Sequence, residues 1–411
     1  MLETIQSEKY TIKQIFKENW GWFYNKFKDR IRENVVLEVK KVLSCKDVDI
    51  LGYSTYACSQ CGHKHKVANT CKSRFCNSCG KVMTDKWIAK AQKSFLNVPY
   101  HHVIFSPPEE LWLFFAYYRE SLDFLFESTN KAVQEWCVKE GFVPGIVEVL
   151  HTFGSTLTFH PHIHMILSEG GIGADGNFDF SVWRDCGYFP HKVLKARFKY
   201  FLIKSLRDFV AKKVKEKGFN LPNELKDLWQ RKTGFRDFFR VTQALYKIVW
   251  YVHIGERLSN ANFTVRYIGR YAKRPCLSET KILYYNQAEN KVVITYHDKL
   301  SKADEKITLT IEEFIIRLIR HIPEKGYKMI RYYGIYANRV RTGICEFLAS
   351  QIIALFGVSL LTFEPVKTWR ERMIESTGED PLLCPYCQIE MRRISITYPS
   401  REGPLRTVYF H

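Results

Sequence analysis

TLTFHPHIHMIL, residues 156–167, places histidines at alternate positions: His160, His162 and His164. In an extended strand, successive side chains point to opposite faces. Phe159, Ile163 and Met165 are then expected to face a core, with the three imidazoles lining the other side. A strand face with imidazoles this close together is a ready nitrogen site for a divalent metal. The bland alternative is a solvated strand face, in a chain that carries 13 histidines. Pro161 lacks an N–H and argues for a strand start or an edge position.

Outward from this stretch, GIVEVLHTF (145–153) and a turn near Gly154 and Ser155 complete a hairpin. VPYHHVIF (98–105) reads as a further strand, stopped by Ser106-Pro107-Pro108. Residues 1–44, 81–95 and 109–140 carry apolar positions at helical spacing, and 190–218 reads as a long basic helix. For that helix a solvated face and a DNA contact are both open. Residues 283–310 alternate as strands before a helix, IEEFIIRLIRHI. Intermixed strands and helices give an α+β class.

Charge bounds the partners. The 411 residues hold 62 Lys and Arg against 43 Asp and Glu, a formal net charge of +19, with 15% aromatic residues. Such an excess draws a polyanion, and aromatic rings offer surfaces on which bases stack. A membrane surface would favour one localised basic amphipathic helix, whereas this charge is spread along the chain. Nucleic acid is the expected partner. No apolar run reaches the length of a membrane span, and the first residues lack a signal-peptide layout, so the expected location is cytoplasmic.

With no export signal, 12 cysteines argue for metal ligands over disulfides. Cys58-x2-Cys61 and Cys76-x2-Cys79 form two hooks, expected to hold one structural zinc through four thiolates. Cys45, Cys71, His63 and His65 are left over, which leaves room for a substituted ligand or a second metal. A third hook, Cys384 and Cys387, supplies only half a site; distant residues complete it or it is an incidental pair.

The segment SNANFTVRYIGRYAKRPCLS is expected to form a helix over 263–273, with Tyr267 and Tyr271 one turn apart on one face. Arg266, Arg270, Lys273 and Arg274 lie beside them as candidate DNA contacts. A phenol is a poor nucleophile at its free pKa near 10. It can attack phosphorus when a metal polarises the phosphate and arginines stabilise the developing charge. An aromatic pair packed against a core is the alternative for the tyrosines taken alone.

The order of these features resembles the rolling-circle insertion-sequence transposases of the HUH (His-hydrophobic-His) endonuclease class, in the group with a zinc-binding N-terminal domain. NTCKSRFCNSC, VLHTFGSTLTFHPHIHMIL, YIGRYAKRP, KGYKMIRYYGIYANR and CPYC carry the resemblance, which covers most of the chain. It implies that His162 and His164 hold a catalytic Mg²⁺ or Mn²⁺, that Tyr267 and Tyr271 are the nucleophiles, and that His160 is accessory. The class adds a third polar ligand; His102, Glu148 and His151 are open candidates. The resemblance further implies an HUH-type antiparallel sheet flanked by helices.

The expected organisation is a helical and zinc-binding domain over 1–95 and a catalytic domain over 96–280 with a basic helical insertion at about 175–260. A small β/α region over 281–411 follows. The expected function is a transposase that nicks and rejoins single-stranded DNA at mobile-element ends through a 5′-phosphotyrosine, without ATP. A rolling-circle replication initiator or relaxase would use the same chemistry. A non-catalytic zinc DNA-binding regulator would keep the fold without it. A zinc hydrolase is disfavoured, because the sequence holds no HExxH helix.

Overall fold

Phe159–Gly173, the histidine strand, runs through the middle of an antiparallel sheet in this computed structural model. The structure describes residues 10–92, 94–96, 98–173, 183–216, 219–258, 261–272, 275–298, 301–337, 368–400 and 403–410. The chain divides into two compact units, each assembled from separate stretches. One takes Met1–Ala89, Lys273–Ile322 and Glu364–His411; the other takes Lys90–Ala272 and Pro323–Phe363.

The first unit begins with α1 (Ile12–Phe27), whose start is capped by the Thr11 side chain accepting from the Gln14 N–H. Its buried residues, Ile12, Ile15, Phe16, Asn19, Trp20 and Phe23, recur at helical spacing on one stripe. α2 (Glu33–Leu43) buries Val35, Val39 and Val42 in the same way. After the short α3 (Val48–Leu51) come the hairpin strands β1 (Tyr53–Ala57) and β2 (Lys64–Ala68), and then α4 (Asn77–Gln92).

The second unit is built on β3 (Tyr100–Ser106), α5 (Trp112–Tyr117), α6 (Asp123–Lys139), β4 (Phe142–Phe153), β5 (Phe159–Gly173) and β6 (Trp183–Arg184). α7 (His191–Val214), α8 (Asn223–Thr233), α9 (Phe238–Ala244), β7 (Tyr251–Leu258) and α10 (Ala261–Ala272) follow. The chain then supplies β8 (Ile282–Asn286), β9 (Lys291–His297), β10 (Asp304–Leu309) and α11 (Ile311–Ile319) to the first unit. It returns β11 (Ile330–Gly334) to the second, and ends in the first with α12 (Trp369–Thr377), β12 (Arg392–Tyr398) and β13 (Arg406–Tyr409).

The sheet of the second unit has the order β11-β4-β5-β3-β7, with β6 paired to β5. One face is packed by α6 and α7 around Phe105, Leu150, Ile163, Met165, Phe198 and Leu202, all fully buried. α10 lies against the strands β4, β5 and β7. Phe159, Ile163 and Met165 thus face the core as expected. The histidines lie on the other face, which is covered instead of solvated: His162 is 9% and His164 6% exposed. Pro161 sits inside a central strand, not an edge. The β4–β5 register shifts between His151 and Phe153, and β3 pairs with β5 only from Ile163 onward. Pro161 therefore occupies a bulge where no ladder donor is needed.

Two boundaries differ from those expected. The segment 175–260 is not wholly an insertion, since β7 is a strand of the main sheet and α7 buries Leu194, Phe198, Leu202, Leu206 and Val210 in its core. The C-terminal 281–411 is not a unit of its own. β12 pairs with β1, Tyr53 opposite Thr397, and β11 joins the histidine sheet beside β4. Pairings between distant strands leave no local periodicity to read. Among the described residues, no helix is long and apolar enough to cross a membrane.

Candidate active site and metal centres

His151 on β4 lies directly opposite His162 on β5 in the antiparallel ladder, and His102 on β3 pairs opposite Ile166. Alternation then puts His102, His151, His162 and His164 on one face. One ligand nitrogen from each of His151, His162 and His164 falls within 4.8 Å of the others. The Nε2 atoms of His162 and His164 are 3.0 Å apart. All three residues are at most 9% exposed.

The remaining nitrogens are held from behind. His162 Nδ1 donates to the His160 carbonyl at 2.8 Å, which keeps its proton there and leaves Nε2, which faces His164, unprotonated. His164 Nδ1 lies 2.8 Å from His102 Nε2, the two rings stacked within 6° of parallel. His102 Nδ1 in turn is 3.2 Å from the Tyr267 hydroxyl, with the Tyr267 ring edge-on at 5.1 Å. Burial, and secondly the neighbouring His253, push His102 down to about 4, so it is neutral at pH 7 and carries one ring proton. If His164 keeps its Nε2 for a metal, its Nδ1–H donates to His102 Nε2, and the single His102 proton points at the Tyr267 oxygen.

His160 is turned elsewhere. Its Nε2 is 2.6 Å from Ser106 Oγ and its ring lies 4.2 Å from that of Trp112, centroid to centroid. It supports His162 through its carbonyl and stands outside the three-histidine group. Ser106 and Trp112 were not marked by the sequence; Ser106 arrives at the end of β3, which pairs with β5, and Trp112 on α5, which packs against β5.

Glu148 faces the opposite side of the sheet, paired with Met165 and wholly buried, which separates it from the histidines. Thr129 Oγ1 donates to Glu148 Oε1 at 2.8 Å, and Glu148 Oε2 has no hydrogen-bond partner among the described residues. Burial pushes this carboxyl well above the usual range, against smaller opposing pulls from Thr129 and Arg331. Burial thus favours its neutral form. Below the free-glutamate pKa, folded and unfolded states are both protonated and nothing is lost. Above it the unfolded chain ionises and the folded one does not, so stability falls as pH rises. Glu148→Gln should remove that slope, so the variant should gain on the wild type as pH rises from 4.5 to 8. Thermal melts from pH 4.5 to 8 check this; a pH-independent difference between the two proteins would rule it out.

On α10, Thr264, Val265 and Ile268 are fully buried, which holds the helix by its apolar stripe, and Tyr267 is half-buried beside His102. Phe263 stacks near Tyr267 with centroids 6.3 Å apart, and Arg266 is exposed. Arg270 and Tyr271 lie on the same helix, with side chains outside the described set; Lys273 and Arg274 lie outside the described residues.

The cysteines form two clusters, and the four expected to share one zinc are divided between them. Cys76 and Cys79 join Cys45 and Cys71, while Cys58 and Cys61 join Cys384 and Cys387. In the first cluster the sulfurs stand 3.6 Å (Cys71 to Cys79), 3.7 Å (Cys76 to Cys45) and 3.8 Å (Cys45 to Cys79) apart. A disulfide would need about 2.05 Å. Four thiolates at about 2.3 Å from a tetrahedral zinc would stand about 3.8 Å apart. Hydrogen bonds from Cys71 and Cys76 pull the Cys45 thiol down, and the same contacts push Cys71 and Cys76 up. Four thiols in such contact cannot share several negative charges unless a cation offsets them. The hooks were legible in sequence; which hook meets which was not.

Residues 145–342 match the family model of a putative transposase, and residues 15–107 match that of a transposase zinc-binding domain. The transposase for insertion sequence element IS801 of Pseudomonas savastanoi pv. phaseolicola is 31% identical over 331 residues, covering 80% of this chain and 77% of that one. The putative transposase y4qJ of Sinorhizobium fredii (strain NBRC 101917 / NGR234) is 29% identical over 374 residues, 87% of this chain and 88% of that one. No solved structure matches the chain. The first match spans His151, His162, His164 and Tyr267, and the second spans the cluster around Cys45. DNA is accordingly the partner, and transposase, the expected function, stands over the alternative of a replication initiator or relaxase. The chain belongs to the IS91-type insertion-sequence transposases that carry an N-terminal zinc-binding domain.

Proposed function

We propose that this transposase nicks and rejoins single-stranded DNA at the ends of its element through a 5′-phosphotyrosine, in a metal-dependent and ATP-independent reaction. One observation carries the reading: the Tyr267 hydroxyl is linked through His102 to His164, whose other nitrogen faces His162. The donor set fits a divalent metal. Cis imidazoles at about 2.1 Å from an ion would stand about 3.0 Å apart, the separation found for His162 and His164. Three nitrogens suit Mn²⁺ better than Mg²⁺, which prefers oxygen. His151 is the third ligand in this reading, chosen over His102 and Glu148. When bound, the ion polarises the scissile phosphate and offsets the charge that develops there.

The chain's own groups do the rest. His102 holds Tyr267 Oη by donating to its oxygen, which favours the ionised phenol. That oxygen forms a bond to phosphorus as the bond to the 3′-oxygen breaks; the phenol proton leaves and the 3′-oxygen gains one. The phosphotyrosine keeps the energy of the phosphodiester, so a 3′-hydroxyl can reverse the step without ATP. Tyr271, one turn along α10, serves as the second nucleophile for a second strand end. Arg266, Arg270, Lys273 and Arg274 contact phosphates, setting register without reading sequence. The zinc of the N-terminal domain sits on Cys45, Cys71, Cys76 and Cys79, a closed site with no open position for chemistry.

Labelled single-stranded oligonucleotides from both flanks of the gene, incubated with the protein and Mn²⁺, should give a covalent adduct on a denaturing gel. The adduct should vanish with EDTA. Binding without any adduct on either strand would leave a DNA-binding regulator as the reading.

A further inference from the structure

We infer that the chain binds a second structural zinc through Cys58, Cys61, Cys384 and Cys387, which joins its C-terminal hook to its N-terminal hairpin. The four sulfurs lie within 4.8 Å of one another, and Cys61 and Cys384, separated by 323 positions, have their sulfurs 3.6 Å apart. That is too long for a disulfide and close to the edge of a tetrathiolate zinc site, about 3.8 Å. Both transposase family matches stop short of Cys384.

The two hooks share one backbone geometry. The Cys58 N–H donates to the His63 carbonyl at 2.9 Å, and the Gly62 N–H donates to the Cys58 carbonyl at 3.1 Å. The Cys384 N–H donates to the Ile389 carbonyl at 2.9 Å, and the Gln388 N–H donates to the Cys384 carbonyl at 2.9 Å. Counted from the first cysteine, the partners fall at the same offsets. The residue after the second cysteine is left-handed in both, Gly62 at φ 72° and Gln388 at φ 55°. Glycine adopts that region freely, whereas glutamine does so against its Cβ, so the second hook keeps the turn without the residue that eases it. Such a turn brings both thiols of a C-x2-C hook to one side, and two hooks facing each other supply a tetrahedron.

The apolar packing at this corner is small. The buried cluster around it consists of Cys58, Cys384 and Met391, with Tyr56 and Cys387 packed against them. Where a module has so small an apolar core, metal binding and folding are one equilibrium. The site lies where β1 and β12 pair, so the ion would fasten strands drawn from opposite ends of the sequence.

Zinc content of the full-length protein, after removal of loosely bound metal, tests this. The wild type should hold two zinc ions per chain and Cys384→Ser/Cys387→Ser one. Cys61 is exposed and Cys387 half-exposed, so unligated thiols there would react readily with iodoacetamide. Mass spectrometry of the native wild type, which does not depend on a variant folding, should find all four protected and released together by a chelator. One zinc per chain with Cys384 and Cys387 alkylated at once would overturn the proposal, as would two zinc ions in the double variant. Loss of zinc at Cys45 and Cys71 alone would count against the first site and leave the second standing.

Discussion

His162→Ala and His164→Ala should each lower DNA cleavage by about a thousandfold or more, with affinity for single-stranded DNA changed by no more than about threefold. An ion that offsets charge at the scissile phosphate contributes several kcal/mol to the barrier, and each 1.36 kcal/mol is a factor of ten in rate. Binding draws instead on many separate phosphate and stacking contacts, none of them dependent on this ion. His151→Ala should behave like these two, because it completes the three-nitrogen group. His160→Ala should be milder, since His160 stands outside the three-histidine group and supports His162 through its carbonyl, which alanine keeps. Cleavage rates and binding isotherms measured in the same Mn²⁺ buffer separate these outcomes. A His164→Ala protein that cuts at the wild-type rate would remove the metal from the mechanism.

The double variant Tyr267→Phe/Tyr271→Phe should form no covalent adduct at all while keeping its melting temperature within a few degrees. Only hydroxyls are removed, and the hydrogen bond lost to His102 is worth about 1 kcal/mol. The single variants divide the work. Tyr267→Phe should lose the adduct on the first strand end, because its hydroxyl lies 3.2 Å from His102 Nδ1. Tyr271→Phe should keep that adduct and fail at rejoining. The readout is the labelled adduct on a denaturing gel, followed over time with oligonucleotides carrying either element end. An adduct that survives in the double variant would place the nucleophile elsewhere and require the constellation to be reread.

Much of this was present in the one-dimensional chain because the features are local. The alternation Phe159, Ile163, Met165 against His160, His162, His164 needs only the period of a strand, and the structure keeps that division of faces. The helix that carries Tyr267 needs only the apolar spacing of Val265 and Ile268 and the stop at Pro275. Strand parity could also have separated Glu148 from His151. They lie three apart on one strand and so on opposite faces, and the buried Glu148 does face away from the histidines.

What sequence by itself determined, then, were several of the helices and the histidine hairpin, the histidine face, the tyrosine helix and the cysteine hooks, each set by residues a few positions apart. Tertiary structure alone decided which pieces meet. It set His151 opposite His162, put His102 between His164 and Tyr267, and gave Cys58 and Cys61 to Cys384 and Cys387 instead of to Cys76 and Cys79. The physical reason is the range of the forces. Propensity, capping and alternation act within a few residues, whereas ladder registers and thiol clusters join positions more than 300 apart, as Tyr53 and Thr397 or Cys61 and Cys384 show, with no periodicity along the chain to record them.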